Sequence, residues 1–206
     1  MDDYLNEREQ WEFVRGWLRE NGPWLVAGVA LAALGVWGWK AWQTRQEARF
    51  LEASGQYEQL VAAFAKNDMP TVVSLADKLS AEHPRTGYAE QGQLTAARLE
   101  VENNQVPAAL VRLQKILTAT ADHELALVVR LRIARLQIDQ GKPDGALATL
   151  AAAEPGAFAG RYAEVRGDAL WAKGDRQGAL KAYREAKAAP AGAPGDDMLA
   201  LKIGAP

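Results

Sequence analysis

The sequence predicts an all-α protein in which one transmembrane helix near the N-terminus is followed by an α-solenoid of about four helix pairs. Two observations lead to this prediction. Residues 23–39 contain no charged or strongly polar side chain, and three later segments repeat one pattern of turn and helix. Apolar residues follow helical spacing along the chain, and no stretch alternates in the way that is typical of strands.

Length and composition set the class of protein. The chain has 206 residues, a formal net charge of −2 and no cysteine. The absence of cysteine excludes disulfides, Cys-ligated zinc, iron–sulfur clusters and a thiol nucleophile. A slightly acidic chain has no general attraction for nucleic acid, so we expect no nucleic-acid partner.

The first 22 residues form a short N-terminal tail. Trp11, Val14, Trp17 and Leu18 recur at helical spacing among charged residues. This pattern is typical of an amphipathic helix near lipid headgroups, and an ordinary solvated helix remains an equal alternative.

The apolar run from Pro23 to Trp39 predicts a membrane anchor over residues 23–42. As a helix it spans about 26 Å, near the lower limit for crossing a bilayer core. Trp24 lies at one end and Trp37 and Trp39 at the other, as indoles do at membrane interfaces, and Lys40 can extend towards the headgroups. The alternative is a buried core helix of the same length.

The residues after the run favour an uncleaved anchor over a cleaved signal peptide. Lys40-Ala41-Trp42 lacks the small residues of a cleavage site. Local charge leaves the orientation open, because three basic residues lie on each side of the run. They are Arg8, Arg15 and Arg19 before it, and Lys40, Arg45 and Arg49 after it.

The repeats predict tetratricopeptide-like helix pairs over residues 43–206. Segments 103–116, 140–153 and 173–186 each contain a turn, an Ala-Leu pair and a bulky residue three positions after the Leu. A small residue twelve positions before each alanine suits the close approach of two helices, and segment 67–84 is a weaker fourth copy. An alanine-rich bundle is the alternative. The small residues are Ala97, Ala134 and Gly167, the alanines are Ala109, Ala146 and Ala179, and the bulky residues are Leu113, Leu150 and Tyr183.

These patterns place the helices along the chain. We predict helices near 43–66, 70–82, 87–103, 107–120, 123–140, 143–153, 157–173 and 176–188, with a short capping helix over 196–203. The segment 190–195, which is rich in proline, glycine and alanine, interrupts the array.

The sequence contains no recognisable catalytic motif. It has no HExxH, GxSxG or phosphate-loop pattern, and His83 and His123 are predicted to be separate, exposed side chains. We therefore expect no metal, no cofactor and no enzymatic activity, although an unrecognised catalytic site remains an alternative.

The predicted first helix of each pair suggests a groove that binds a partner. In this register Arg98, Arg132, Arg135, Asp168 and Trp171 are candidates for its inner face. Arginine and tryptophan are enriched at interfaces because they combine contact area with directed donors. For each arginine singly, ordinary exposure to solvent is the alternative.

Several segments resemble the YfgM-type family of ancillary subunits of the bacterial SecYEG translocon. They include Glu20-Asn21-Gly22 and residues 131–137, the pair formed by 166–170 and 173–179, and the ending Leu201-Lys202-Ile203. The resemblance extends over nearly the whole chain. It transfers no catalytic residue and no residue-level binding motif.

The resemblance implies a bacterial inner-membrane protein with a cytoplasmic N-terminus and a periplasmic repeat domain. Its implied partners are the SecYEG translocon, a periplasmic chaperone of the PpiD type and secretory polypeptide clients, which it would help to pass from translocon to chaperone. The alternative implied role is a regulatory scaffold that damps an Rcs-type envelope stress response.

Overall fold

The computed structural model describes residues 3–84, 86–189 and 196–204, and within these residues it contains helices and turns but no strand. The all-α prediction is therefore confirmed. The helices are α1 (Asp3–Ala65), α2 (Met69–Glu82), α3 (Gly87–Glu102), α4 (Val106–Ala119), α5 (His123–Asp139), α6 (Pro143–Ala151), α7 (Ala159–Ala172), α8 (Arg176–Ala188) and α9 (Asp196–Gly204).

The sequence predicts an N-terminal tail, an anchor and a first repeat helix as separate segments, whereas the structure has one helix, α1, over all three. It is continuous from Asp3 to Ala65 and includes Pro23, so tail, apolar run and first repeat helix belong to one element. Contacts within the chain divide it into two units between Glu52 and Ala53. The predicted boundaries at 22 and 42 follow composition, and they stay predictions.

The first unit exposes its apolar side chains. Every residue from Pro23 to Trp39 is exposed, and Trp24 reaches 80% relative exposure. Among the described residues, the part of α1 from Val14 to Ala65 is the one stretch long and apolar enough to cross a membrane. None of the run from Pro23 to Trp39 is buried by the rest of the described chain, so the alternative of a buried core helix is wrong. An exposed apolar surface of this size is typical of a segment that contacts lipid or another protein.

The second unit has a core built from successive groups of three helices. Buried side chains cluster among α1, α2 and α3, then among α3, α4 and α5, then α5, α6 and α7, and finally α7, α8 and α9. Each helix pair is thus closed by the first helix of the next pair, which is the arrangement of an α-solenoid. Helix α9 closes the last cluster with Leu199, which is fully buried.

Within the second, third and fourth pairs, a small residue on the first helix packs against a large one on the second. Gly167 of α7 and Tyr183 of α8 show this most clearly, since a Cβ atom added at Gly167 would lie 2.4 Å from Tyr183 Cε1. Ala97 and Leu113 share one core cluster, and so do Ala134 and Leu150. The predicted register of small and bulky residues is confirmed.

We call the contact between the two helices of a pair the seam. In the seam of the first pair the large residue lies on the first helix and the small one on the second. Leu60 of α1 takes the position of the small residue, and Ala76 of α2 takes that of the bulky one. Both are fully buried in one cluster. Segment 67–84 is a weak match to the repeat pattern because it has Ala76 where the other segments have a bulky residue, and Leu60 on α1 supplies the missing volume.

All four pairs also share one turn. The second residue after the first helix has a positive φ, and the amide of the residue that follows donates back to a carbonyl five residues earlier, which is a Schellman-type ending. Glycine or asparagine suits this conformation. The residues with positive φ are Asn67 (54°), Asn104 (60°), Gly141 (71°) and Gly174 (89°), and the bonds join Asp68 to Ala63, Gln105 to Glu100, Lys142 to Gln137 and Asp175 to Leu170 at 2.7–3.0 Å.

The prediction that His83 is exposed is wrong. Its amide donates to Leu79 O at the end of α2, and its side chain turns inward to 7% relative exposure. The nearby Pro84 gave the segment the composition of a surface turn, and composition does not reveal the direction of a side chain.

We expect Gly167→Leu to lower the free energy of unfolding by about 1–3 kcal/mol, because the new side chain would occupy the space of the Tyr183 ring. The melting temperature of the full chain in detergent micelles, followed by circular dichroism, measures the effect. Gly87→Leu is the matched control, since nothing lies within 4 Å of the added Cβ at that position.

The exchanged sizes of Leu60 and Ala76 in the first pair suggest a double variant that tests the seam of the last pair more directly. Gly167→Leu combined with Tyr183→Ala copies the arrangement of Leu60 and Ala76, so we expect the double variant to be more stable than the sum of the two single losses. Additive losses, or an unchanged melting temperature for Gly167→Leu, would contradict the proposed seam.

Candidate functional site

A groove of about 360 Å³ lies between α3 and α5. Its floor is apolar and its rim is charged, and the rim includes Arg98, Arg132 and Arg135. Three of the five predicted groove residues therefore meet around one depression. The other lining residues are Ala97, Val101, Glu102, Leu113 and Leu136.

The three arginines differ in how far their charge is neutralised. Arg98 Nε donates to Glu102 Oε1 at 2.8 Å, and its guanidinium lies 5.2 Å from the centre of the Phe64 ring. Arg135 Nη2 lies 3.8 Å from Glu164 Oε2, the long end of ion-pair distance. Arg132 has no carboxylate within ion-pair distance among the described residues. The groove thus carries unneutralised positive charge.

Burial and charge act together on Arg132. Burial lowers the pKa of its guanidinium, and the positive charges of Arg135 and Arg98 lower it further. An arginine still remains charged at neutral pH. Of the three arginines around the groove, Arg132 is therefore the one whose charge has no carboxylate partner among the described residues.

The structure places the other two predicted residues in different surroundings. Asp168 accepts a hydrogen bond from the Tyr183 hydroxyl at 2.9 Å and another from Lys202 Nζ at 3.0 Å. Trp171 packs on the last core cluster, and the guanidinium of Arg176 lies 5.1 Å from its ring centre. Neither residue lines the groove between α3 and α5.

Sequence reasoning missed the partly buried network of hydrogen bonds and ion pairs that joins α9 to α7. Lys202 Nζ donates to Glu164 Oε1 at 2.7 Å as well as to Asp168. Burial would lower the pKa of Lys202, but these hydrogen bonds raise it above its usual value. Because the folded pKa is the higher one, this stabilisation is fully present at neutral pH and is lost only as pH rises through the raised pKa.

A second missed network joins α2, α3 and α4. Arg112 donates to the buried carboxylate of Glu100 at 3.0–3.2 Å and to Asp77 at 2.7 Å. Gln93 donates to Ala76 O at 3.0 Å and to Asp77 Oδ1 at 2.9 Å. No sequence motif signals these partners, because they lie 12 to 35 residues apart.

Known proteins resemble this chain over almost all of its length. The tetratricopeptide repeat-like domain family matches residues 15–205. A protein of Escherichia coli K12 named ancillary SecYEG translocon subunit is 34% identical over 203 residues, which cover 98% of each chain. Proteins with the same name in Haemophilus influenzae and Neisseria gonorrhoeae are both 29% identical, over 89% and 98% of each chain. No solved structure gives a significant match.

We expect Lys202→Met to loosen α9 selectively. The change removes the cation nearest to the buried carboxylate of Glu164 and leaves Arg135, at 3.8 Å, as its remaining ion-pair partner among the described residues. Breaking one side of a buried ion pair is destabilising because the remaining charge is poorly compensated. Amide hydrogen exchange over residues 199–204 should become faster while α3 and α5 stay unchanged. Lys187→Met is the matched control, because Lys187 is exposed at the end of α8. Equal exchange of α9 in both variants would show that the network does not hold this helix.

Proposed function

This chain belongs to the YfgM-type family of ancillary SecYEG translocon subunits, and we propose that it is a membrane-anchored protein–protein interaction module beside the translocon. The observation that carries the proposal is the 34% identity over 98% of a relative with that name, which includes both the apolar run and the repeat domain. The repeats then supply a binding surface, and the exposed apolar part of α1 supplies the anchor.

The proposed task is to pass emerging secretory chains from the translocon to a periplasmic chaperone of the PpiD type. The groove between α3 and α5 supports a binding role, because its rim is charged and its floor is apolar. Such a surface suits polypeptide, which offers both polar groups and apolar side chains. We accordingly propose a non-enzymatic adaptor.

The proposed contact surface is centred on Arg98, Arg132 and Arg135. Asp168 occupies the position of Arg98 and Arg135 in the last repeat, and Trp171 lies one helical turn further along α7. These two residues stay predicted contacts, and their links to Lys202 and Arg176 imply that a partner reaching them would compete with existing interactions.

Purification of the full chain in a mild detergent tests the proposed function. We expect translocon subunits and a membrane-anchored chaperone to be recovered with it, and a photoreactive residue at position 102 to crosslink to a polypeptide at the groove. Recovery of a signalling regulator without translocon subunits would instead favour the stress-response role. Recovery of neither would contradict membership in a translocon assembly.

The double change Arg98→Glu with Arg135→Glu should slow association with the captured chaperone or client, most visibly at low salt. Arginines on an exposed rim steer partners electrostatically, and salt screens this effect. Surface immobilisation with association rates measured at two ionic strengths gives the readout. The matched control reverses Arg184 and Lys187, which are exposed on α8. Equal rates for both variants would show that the groove is not the contact surface.

We propose that the N-terminus lies in the cytoplasm and the repeat domain in the periplasm, as in the family. A reporter that is active only in the periplasm, fused after Pro206, should therefore be active. Activity of a cytoplasmic reporter at the same position would reverse the topology. It would leave the proposal of a binding module intact but would exclude periplasmic chaperones as its partners.

A further inference from the structure

Arg132 is the unusual member of the groove between α3 and α5. Arg98 has Glu102 at 2.8 Å, and Arg135 has Glu164 at 3.8 Å, whereas Arg132 has no carboxylate at ion-pair distance among the described residues. It lines the same depression as Arg98 and Arg135, and their positive charges act on it. Arg132 is exposed to solvent, so its guanidinium can meet a partner's carboxylate without first breaking an ion pair.

The apolar floor beside Arg132 is formed by the core of the second repeat. Leu113 and Leu136 have 2% and 8% relative exposure, and Ala97 has 2%. These side chains border the groove while they pack in one core cluster. The floor is therefore rigid, because its residues are held by the seam between α3 and α4 and by α5.

A carboxylate is the group that fits the rim. The planar guanidinium accepts a carboxylate in a bidentate arrangement, and charge-assisted hydrogen bonds of this kind are roughly twice as strong as neutral ones. A carboxylate at Arg132 would also relieve the repulsion exerted by Arg98 and Arg135. Burial and these neighbours lower the pKa of Arg132, which agrees with an unmet need for negative charge.

We propose that Arg132 binds a side-chain carboxylate in an extended acidic segment of a partner protein, and that an apolar residue next to it in that segment packs on Ala97, Leu113 and Leu136. This inference rests on the proposed function and specifies the chemistry of the partner. Arg98 and Arg135 steer the segment to the groove. The contact with Arg132 determines which residues of the segment lie over the groove.

The composition of the groove favours polypeptide over the other common polyanions. Nucleic acid requires many phosphate contacts, whereas the rim offers three arginines on a chain with a net charge of −2. A lipid headgroup would use the cations but not the apolar floor in the same way. A peptide with alternating acidic and apolar residues uses both features at once.

Fluorescence anisotropy with the full chain in detergent micelles tests the proposal. The probe is a short labelled peptide in which glutamates alternate with leucines, and the comparison peptide has glutamine at each glutamate. We expect the wild-type chain to bind the glutamate peptide more tightly. Arg132→Gln should weaken that binding about 10- to 100-fold and change binding of the glutamine peptide little, so that the preference disappears.

Two further variants separate geometry from charge. Arg132→Lys keeps the charge but loses the bidentate arrangement, so we expect an intermediate affinity. Arg184→Gln removes an exposed arginine on α8, outside the groove, and should leave binding unchanged. The comparison of the two peptides on the unaltered chain does not depend on any variant being folded.

Several results would overturn the proposal. Equal binding of both peptides by the wild-type chain would exclude a carboxylate site. Equal losses in Arg132→Gln and Arg184→Gln would mean that only general charge matters. Displacement of the peptide by phosphatidylglycerol but not by phosphatidylcholine, each added to the detergent micelles, together with loss of this displacement in Arg132→Gln, would assign the groove to a lipid headgroup. In each case, continued recovery of translocon subunits with the Arg132→Gln chain would leave the proposed function standing.

Discussion

The close approach of two helices within each pair governs the rest of the repeat domain. Gly167 leaves room for the Tyr183 ring, and Leu60 with Ala76 reaches a similar total volume with the sizes exchanged. Protein interiors are packed densely enough that one methyl group matters at such a contact. The seam therefore fixes the separation and register of each pair, and through them the positions of the side chains that point away from it.

The groove is a consequence of this geometry. Ala97 and Leu113 meet at the seam of the second pair, and Arg98 follows Ala97 on the adjacent face of α3. Arg135 follows Ala134 in the same way on α5. Because the two pairs repeat one arrangement, equivalent residues of successive helices come side by side. Two single arginines separated by 37 residues in sequence thereby become neighbours around one depression.

Local patterns predicted most of the fold. Helix bounds, the small and bulky residues of three pairs, and the short final helix all follow from spacing and turn composition, which depend on nearby residues. Local patterns do not predict the exchange of sizes in the first pair, the inward side chain of His83, or the networks around Arg112 and Lys202. They depend on distant partners, and a charged side chain has the same local signature whether it faces water or a buried carboxylate. The same limit applies to the candidate site: the register placed three arginines on one face, but it did not show that Asp168 would instead bind Lys202.

Helix α9 determines the point during synthesis at which the core of the last repeat can close. Each core cluster is completed by the helix that follows it, and the last one is completed by Leu199 and Ile203, near the end of the chain. During synthesis, α7 and α8 can pair early, but their shared apolar surface stays open until α9 has been made. A chain that stopped before Leu199 would leave the apolar surface of this cluster open, and proteases and chaperones recognise such surfaces on unfolded chains. Helix α9 thus completes the core of the last repeat.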